Sequence, residues 1–127
     1  MKLSQVIELS KIQTKVKDKK MSVKTAYKFS KLFAQVTKET TFFDENINRL
    51  VQTYGKRDEN GDFVLLEDKS GVVIDESRYA ECMKEMQELN NLEVELDFNG
   101  KFTLDELEAL ELSYAEFEQL MPFIEEE

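Results

Sequence analysis

Residues 23–54 read VKTAYKFSKLFAQVTKETTFFDENINRLVQTY, and a single apolar line runs through most of them. Phe29, Phe33, Val36, Thr40, Phe43, Ile47, Leu50 and Tyr54 succeed one another at alternating steps of four and three. Such steps keep side chains on one face of an α-helix, because neighbours on that surface lie three and four positions apart. Only Thr40 blemishes the line, no Gly or Pro falls within it, and Gly55 supplies a C-terminal stop. The pattern predicts one helix from about Val23 to Tyr54, longer than the usual ~8–20 residues. Ser22 is placed to cap its start. A seam with this much aromatic surface must be covered, since burying each large side chain contributes roughly 1.5–3 kcal/mol.

On the N-terminal side, Leu3, Val6, Ile7, Leu9, Ile12 and Val16 predict a first helix over residues 3–16, broken by Lys17-Asp18-Lys19-Lys20. This helix can cover one end of the long one as an antiparallel hairpin. It is about half as long, so the rest of the seam needs the C-terminal half or a second copy. Phe43 to Tyr54 is the expected internal stretch, and Phe29, Phe33 and Val36 form the expected self-association zone.

On the C-terminal side, Phe63-Val64-Leu65-Leu66 and Val72-Val73-Ile74 predict a β-hairpin after the turn signal Asp58 to Asp62. Asp75 can cap a third helix reaching about Asn91, with Tyr79, Cys82, Met83, Met86 and Leu89 on one stripe. Val94, Leu96 and Phe98 alternate with Glu93, Glu95 and Asp97, the period of a half-buried strand. Asn99-Gly100 reads as a turn and Lys101-Phe102 as a returning strand. Thr103 with Glu106, and Ser113 with Glu116, are capping boxes that predict short helices near 104–110 and 114–120. Pro122 ends the second, and the Glu125–Glu127 tail is expected to fray. The expected fold is α+β and mostly helical: one domain over 1–127, with a basic helical hairpin (1–55) and an acidic α+β part (56–127). That part holds a small β-hairpin or sheet and short C-terminal helices.

Composition narrows the chemistry. The chain has 127 residues, 41% of them hydrophobic, which suits one folded domain. No apolar run nears the ~20 residues of a membrane span, and the first residues lack the apolar core of a secretory signal. A cytoplasmic location in an infected cell is expected, with virion association as the alternative. The single cysteine, Cys82, precludes an internal disulfide and reads as a buried structural thiol. There is no histidine, which removes the commonest general base and the usual nucleophile pairs. No phosphate-binding loop, dinucleotide glycine motif or paired-cysteine zinc motif occurs.

Net charge is -10, unevenly spread. Residues 1–40 carry ten lysines against Glu8, Asp18 and Glu39, a net +7; residues 41–127 carry seven basic and twenty-four acidic residues, a net -17. Such halves either form two surfaces or pack on one another. Lys24, Lys28 and Lys31 make a basic patch on one helix face, which also reads as a solvated face or an internal partner of the acidic half. Nucleic acid is not expected as a partner, because the whole chain would be repelled by it. Glu93, Glu95, Asp97, Glu106, Glu108 and Glu111, with Glu116 and Glu118, are candidates for an acidic protein-binding array; plain solubility is the other reading.

Two further chemistries are weak. A calcium loop placed on Asp58, Asn60, Gly61 and Glu67 would have Lys56 at its first ligand position, a repelling charge. A catalytic carboxylate pair needs two carboxyls facing one bond in a cleft, and the spacing here singles out none. No metal, cofactor or catalytic residue is expected.

The chain resembles a family of short tailed-bacteriophage proteins of unassigned function. The resemblance rests on Ser22-Val23-Lys24-Thr25-Ala26-Tyr27-Lys28, on Tyr54-Gly55-Lys56-Arg57-Asp58-Glu59-Asn60-Gly61, on Leu89 to Leu96 (LNNLEVEL), and on Leu120 to Glu126 (LMPFIEE). These pieces span most of the sequence in order. The resemblance implies a phage or prophage origin and transfers no catalytic residue.

The expected function is therefore that of a non-catalytic phage binding or assembly protein with a phage or host protein partner, self-associating through its long helix. The alternative is an inhibitor of a bacterial defence or DNA-handling protein, with the acidic array imitating nucleic acid. An enzyme working through carboxylates is the third class.

Overall fold

The computed structural model describes residues 1–125. Among these, five α-helices follow in order: α1 (Leu3–Val16), α2 (Val23–Tyr54), α3 (Tyr79–Asn90), α4 (Leu104–Glu108) and α5 (Tyr114–Leu120). Single 3₁₀ turns occupy Glu76–Arg78 and Met121–Phe123. The chain is mostly helical, and none of the described helices is long and apolar enough to cross a membrane. The long α2 starts where Ser22 Oγ accepts the Thr25 N–H at 3.2 Å. It ends at Gly55, where an added Cβ would come within 2.5 Å of the Val51 carbonyl and 2.8 Å of the Phe63 ring.

The chain forms two compact units. One is Met1–Thr41 together with the chain from Glu93 onward; the other is Phe42–Leu92. The composition break expected at residue 55/56 is thus not where the contacts divide, because the end of α2 packs with the segments that follow it.

In the first unit, α1 buries Leu3, Val6, Leu9, Ile12 and Val16. The start of α2 adds Phe29, Leu32, Phe33 and Val36, and the C-terminal segment adds Phe102, Leu107, Leu110, Leu120 and Phe123. Aromatic rings form the middle of this core. Phe29 stacks on Phe33 at 5.5 Å and meets Phe102 at 4.5 Å, while Phe98 meets Phe123 edge-on at 5.7 Å. The expected pairing of α1 with α2 is altered. Helix α1 lies closest to α5, joined by a Lys15–Glu116 ion pair, and a groove separates its end from the start of α2. A second correction concerns Lys101-Phe102, which does not return beside Val94–Phe98. Phe98 N–H closes a tight turn onto the Leu96 carbonyl, and Phe102 pairs in parallel with Ile124. The Phe102 ring is wholly buried in the aromatic cluster, and that burial fixes where its backbone lies.

In the second unit, Leu50, Tyr54 and Cys82 form the buried cluster, with Ile74, Met83 and Met86 partly buried against it. Tyr79, expected on the same stripe, is 54% exposed. Asp75 caps the 3₁₀ turn rather than α3, so Tyr79 becomes the first residue of the helix. Nor do the β-prone runs build a sheet. Among the described residues, β pairing is confined to isolated bridges, here Gly55↔Ile74, Arg57↔Phe63 and Leu65↔Val72. The reason is how the bonds are shared. Val64 donates to the Lys56 carbonyl and accepts from the Val73 N–H, both at 2.8 Å, so three short segments interlock and no two run on as a ladder.

Candidate functional site

The capping box at the start of α4 sets up the most connected polar group of the first unit. Glu106 Oε1 accepts from the Thr103 N–H at 2.9 Å, while Glu106 N–H donates to Thr103 Oγ1 at 3.2 Å. The same carboxylate accepts from Lys28 Nζ and from Thr25 Oγ1, each at 2.7 Å. Thr25 is itself buried and held by Ser22. Burial works against the charge on Glu106, but the bonds from Lys28, the Thr103 backbone and Thr25 outweigh it and hold the carboxyl at about 2. Glu116 is arranged alike on α5: Lys15, then the Ser113 backbone of its own capping box, lowers it to about 2.

The candidate acidic array therefore splits. Glu106 and Glu116 are turned inward and neutralised. Glu93, Glu95, Asp97, Glu108, Glu111 and Glu118 are exposed. The first three alternate along residues 93–98 with half-buried Val94, Leu96 and Phe98, as the period of two required. The segment is anchored where Val94 N–H bonds to the Met1 carbonyl at 2.7 Å and Lys2 bridges Glu93. The terminal ammonium stands 3.5 Å from Glu93, whose side chain is 76% exposed, so this pair offsets little of the charge. Glu108 and Glu111 border a groove of about 450 Å³ lined by Leu104, Leu107, Tyr114 and Phe117. Glu111 takes a left-handed backbone, φ 53°, which turns the chain between α4 and α5.

The other candidates are placed as follows. Phe29, Phe33 and Val36 are 4%, 5% and 0% exposed. The first unit's own segments cover nearly all of them, and only the edges of Phe29 and Phe33 reach a groove at the end of α1. The basic patch loses Lys28 to Glu106, while Lys24 and Lys31 stay exposed, Lys31 over the Tyr27 ring at 5.5 Å. In the second unit, the Asp58 carboxylate accepts the Asn60 and Asp62 N–H groups, and Arg57 donates to the Gly61 carbonyl. Residues 58–62 thus form a turn whose polar groups bond each other. Among the described residues, no three Cys, Asp or Glu gather where they could hold a metal ion.

Sequence reasoning missed Leu32, Phe102 and Phe123. Leu32 stands three residues after Phe29, within helical reach; Phe102 falls in the expected returning strand, and Phe123 lies between the expected end at Pro122 and the Glu125–Glu127 tail, with no assignment of its own. The chemistry of the arrangement is electrostatic. The two strongly shifted carboxyls are driven toward permanent ionisation, opposite to the direction a general acid needs. No family model, curated protein or solved structure matches this chain.

Proposed function

We propose that this chain is a non-catalytic protein-binding protein, of the phage origin its sequence resemblance implies, that engages a basic surface of its partner. The observation that carries the reading is the outward row of Glu93, Glu95 and Asp97. Half-buried Val94, Leu96 and Phe98 alternate with them and leave all three exposed, Asp97 at the tight turn that the Phe98 N–H closes on the Leu96 carbonyl. Glu108 and Glu111 add charge on the same unit. A row of fixed carboxylates suits a partner that ordinarily grips a polyanion, such as a host DNA-handling or defence protein, and steers association electrostatically.

The test begins with affinity capture from infected host cells and continues with the purified partner by calorimetry. Binding is expected to weaken steeply between low and physiological salt. The combined Glu93→Lys, Glu95→Lys and Asp97→Lys variant is expected to lose binding while melting like the wild type. Binding indifferent to both salt and reversal would overturn the reading.

A second reading, an assembly factor that pairs with itself, is favoured by the open groove beside Phe29 and Phe33. It differs from the first in needing no foreign partner.

A further inference from the structure

The groove between the end of α1 and the start of α2 has a volume of about 390 Å³. Val16, Phe29 and Phe33 line it with apolar surface, and Lys17 and Lys19 bring positive charge to it. Ala34, on α2, forms part of its wall and is otherwise exposed. The space is ample for an aromatic ring.

The same unit carries a projection of opposite character. Tyr114 opens α5 and is 81% exposed, against 63% for Tyr27, the next most exposed aromatic residue of the first unit. Exposed acids flank it in sequence, Glu111 before and Glu118 after. Tyrosine is a preferred anchor of protein interfaces because it buries a large ring while keeping its hydroxyl near water. The two features are complementary in kind, an apolar ring for an apolar groove and acid for lysine. The Lys15–Glu116 ion pair lies two residues from Lys17 on one helix and two from Tyr114 on the other. Projection and groove thus belong to two helices joined by that ion pair, and a two-fold pair of chains, the commonest symmetry of such pairs, would seat both at once. The repulsion between two chains of net charge -10 is screened beyond about 8 Å at physiological salt, so contacts at the seam decide.

We propose that two copies of this chain pair by seating Tyr114 of each in the α1–α2 groove of the other, with Glu111 and Glu118 against Lys17 and Lys19. This deepens the self-pairing reading and uses none of Glu93, Glu95 or Asp97, so the fate of the acidic-row reading does not decide it.

Sedimentation velocity on the full chain tests it. The wild type is expected to dimerise by concentrations on the order of 100 μM, the weak end of specific association. Tyr114→Asp and Ala34→Arg change exposed positions and are expected to melt like the wild type, yet each to weaken pairing by about 30-fold or more, the effect of losing an aromatic anchor. The Tyr114→Asp chain keeps a working groove and the Ala34→Arg chain keeps a working projection. Mixed, they restore one of the two seats and are expected to associate more tightly than either does alone. Should either variant melt early, Tyr114→Ser or Ser30→Arg, the latter at another exposed residue of the groove wall, takes its place. A wild type that stays monomeric, variants that pair like the wild type, or a mixture that associates no better than either variant alone each overturns the proposal and leaves the groove to another occupant.

Discussion

Lys28 and Glu106 meet at 2.7 Å with side chains 18% and 16% exposed, whereas Arg49 and Glu85 meet at 3.8 Å with 56% and 34% exposed. The first pair belongs to the unit of residues 1–41 and 93 onward, the second to the unit of residues 42–92. The cores differ in the same sense. The first unit closes on whole aromatic rings, while in the second Leu50, Tyr54, Cys82 and Leu89 are buried and Ile74, Met83 and Met86 are only partly so. One unit places opposite charges from distant parts of the sequence inside its packing; the other leaves them in water. The lesson concerns charge. The sequence divides into +7 and -17, yet counted by unit the net charges are -4 and -6. Most of the asymmetry is taken up by folding the lysine-rich start against the acidic end.

The sharpest way to break this comparison is to remove the ring at the centre of the first unit. Phe102→Ala is expected to destabilise it by about 3–5 kcal/mol, the usual result of emptying a buried aromatic site. Hydrogen exchange followed by mass spectrometry should show protection lost in α1 and α5 and retained in α3. Equal loss in α3 would mean that the two units do not open separately.

A smaller effect is expected from the buried pair. Glu106→Gln strands Lys28 and is expected to cost about 1–3 kcal/mol, below the 3–5 typical of fully buried pairs. Its pH behaviour has a definite sign. Glu106 and Glu116 sit at about 2, below the ordinary 4.5, so the stability they contribute is complete above that ordinary value and lost as pH falls toward about 2. Circular dichroism melts from pH 6 to pH 2 should therefore show the first unit weakening below about pH 4.5, and Glu106→Gln should flatten that fall. An unchanged slope would show that the pair does not carry it.

The least effect belongs to the second unit. Asp75 accepts the Ser77 N–H at 3.1 Å and the Ser77 hydroxyl at 2.9 Å, and these bonds lower its carboxyl. Asp75→Ala is expected to destabilise the second unit only slightly, by removing the cap of the 3₁₀ turn ahead of α3. Exchange protection at the start of α3 should fall while α1 is unaffected. A change in α1 would blur the distinction between the units.

The helices were legible because each of their signals is local. The four-three spacing from Phe29 to Tyr54 marked α2, and the two capping boxes marked α4 and α5, with hydroxyl and carboxylate three residues apart. The alternation of Glu93 to Phe98 correctly assigned inside and outside, since a period of two survives even where no ladder forms. What the sequence could not show were meetings across long separations. The capping box showed that Glu106 turns back on Thr103, but not that Lys28, 78 residues away, would meet it. Phe102 looked like a strand residue because its partner, Ile124, follows a proline and a helix. Phe29 and Phe33 announced a seam that had to be covered, but not that Phe102 would be among the residues covering it.

Cys82 is 2% exposed, and burial, then the nearby Glu85 charge, pushes its thiol up. It is also the chain's sole cysteine and lies in the second unit. A thiol in that state meets a labelling reagent only when the structure around it opens. The protein thus carries its own clock: the rate at which it takes up such a reagent times the excursions of residues 42–92, silent to anything confined to the unit that holds α1.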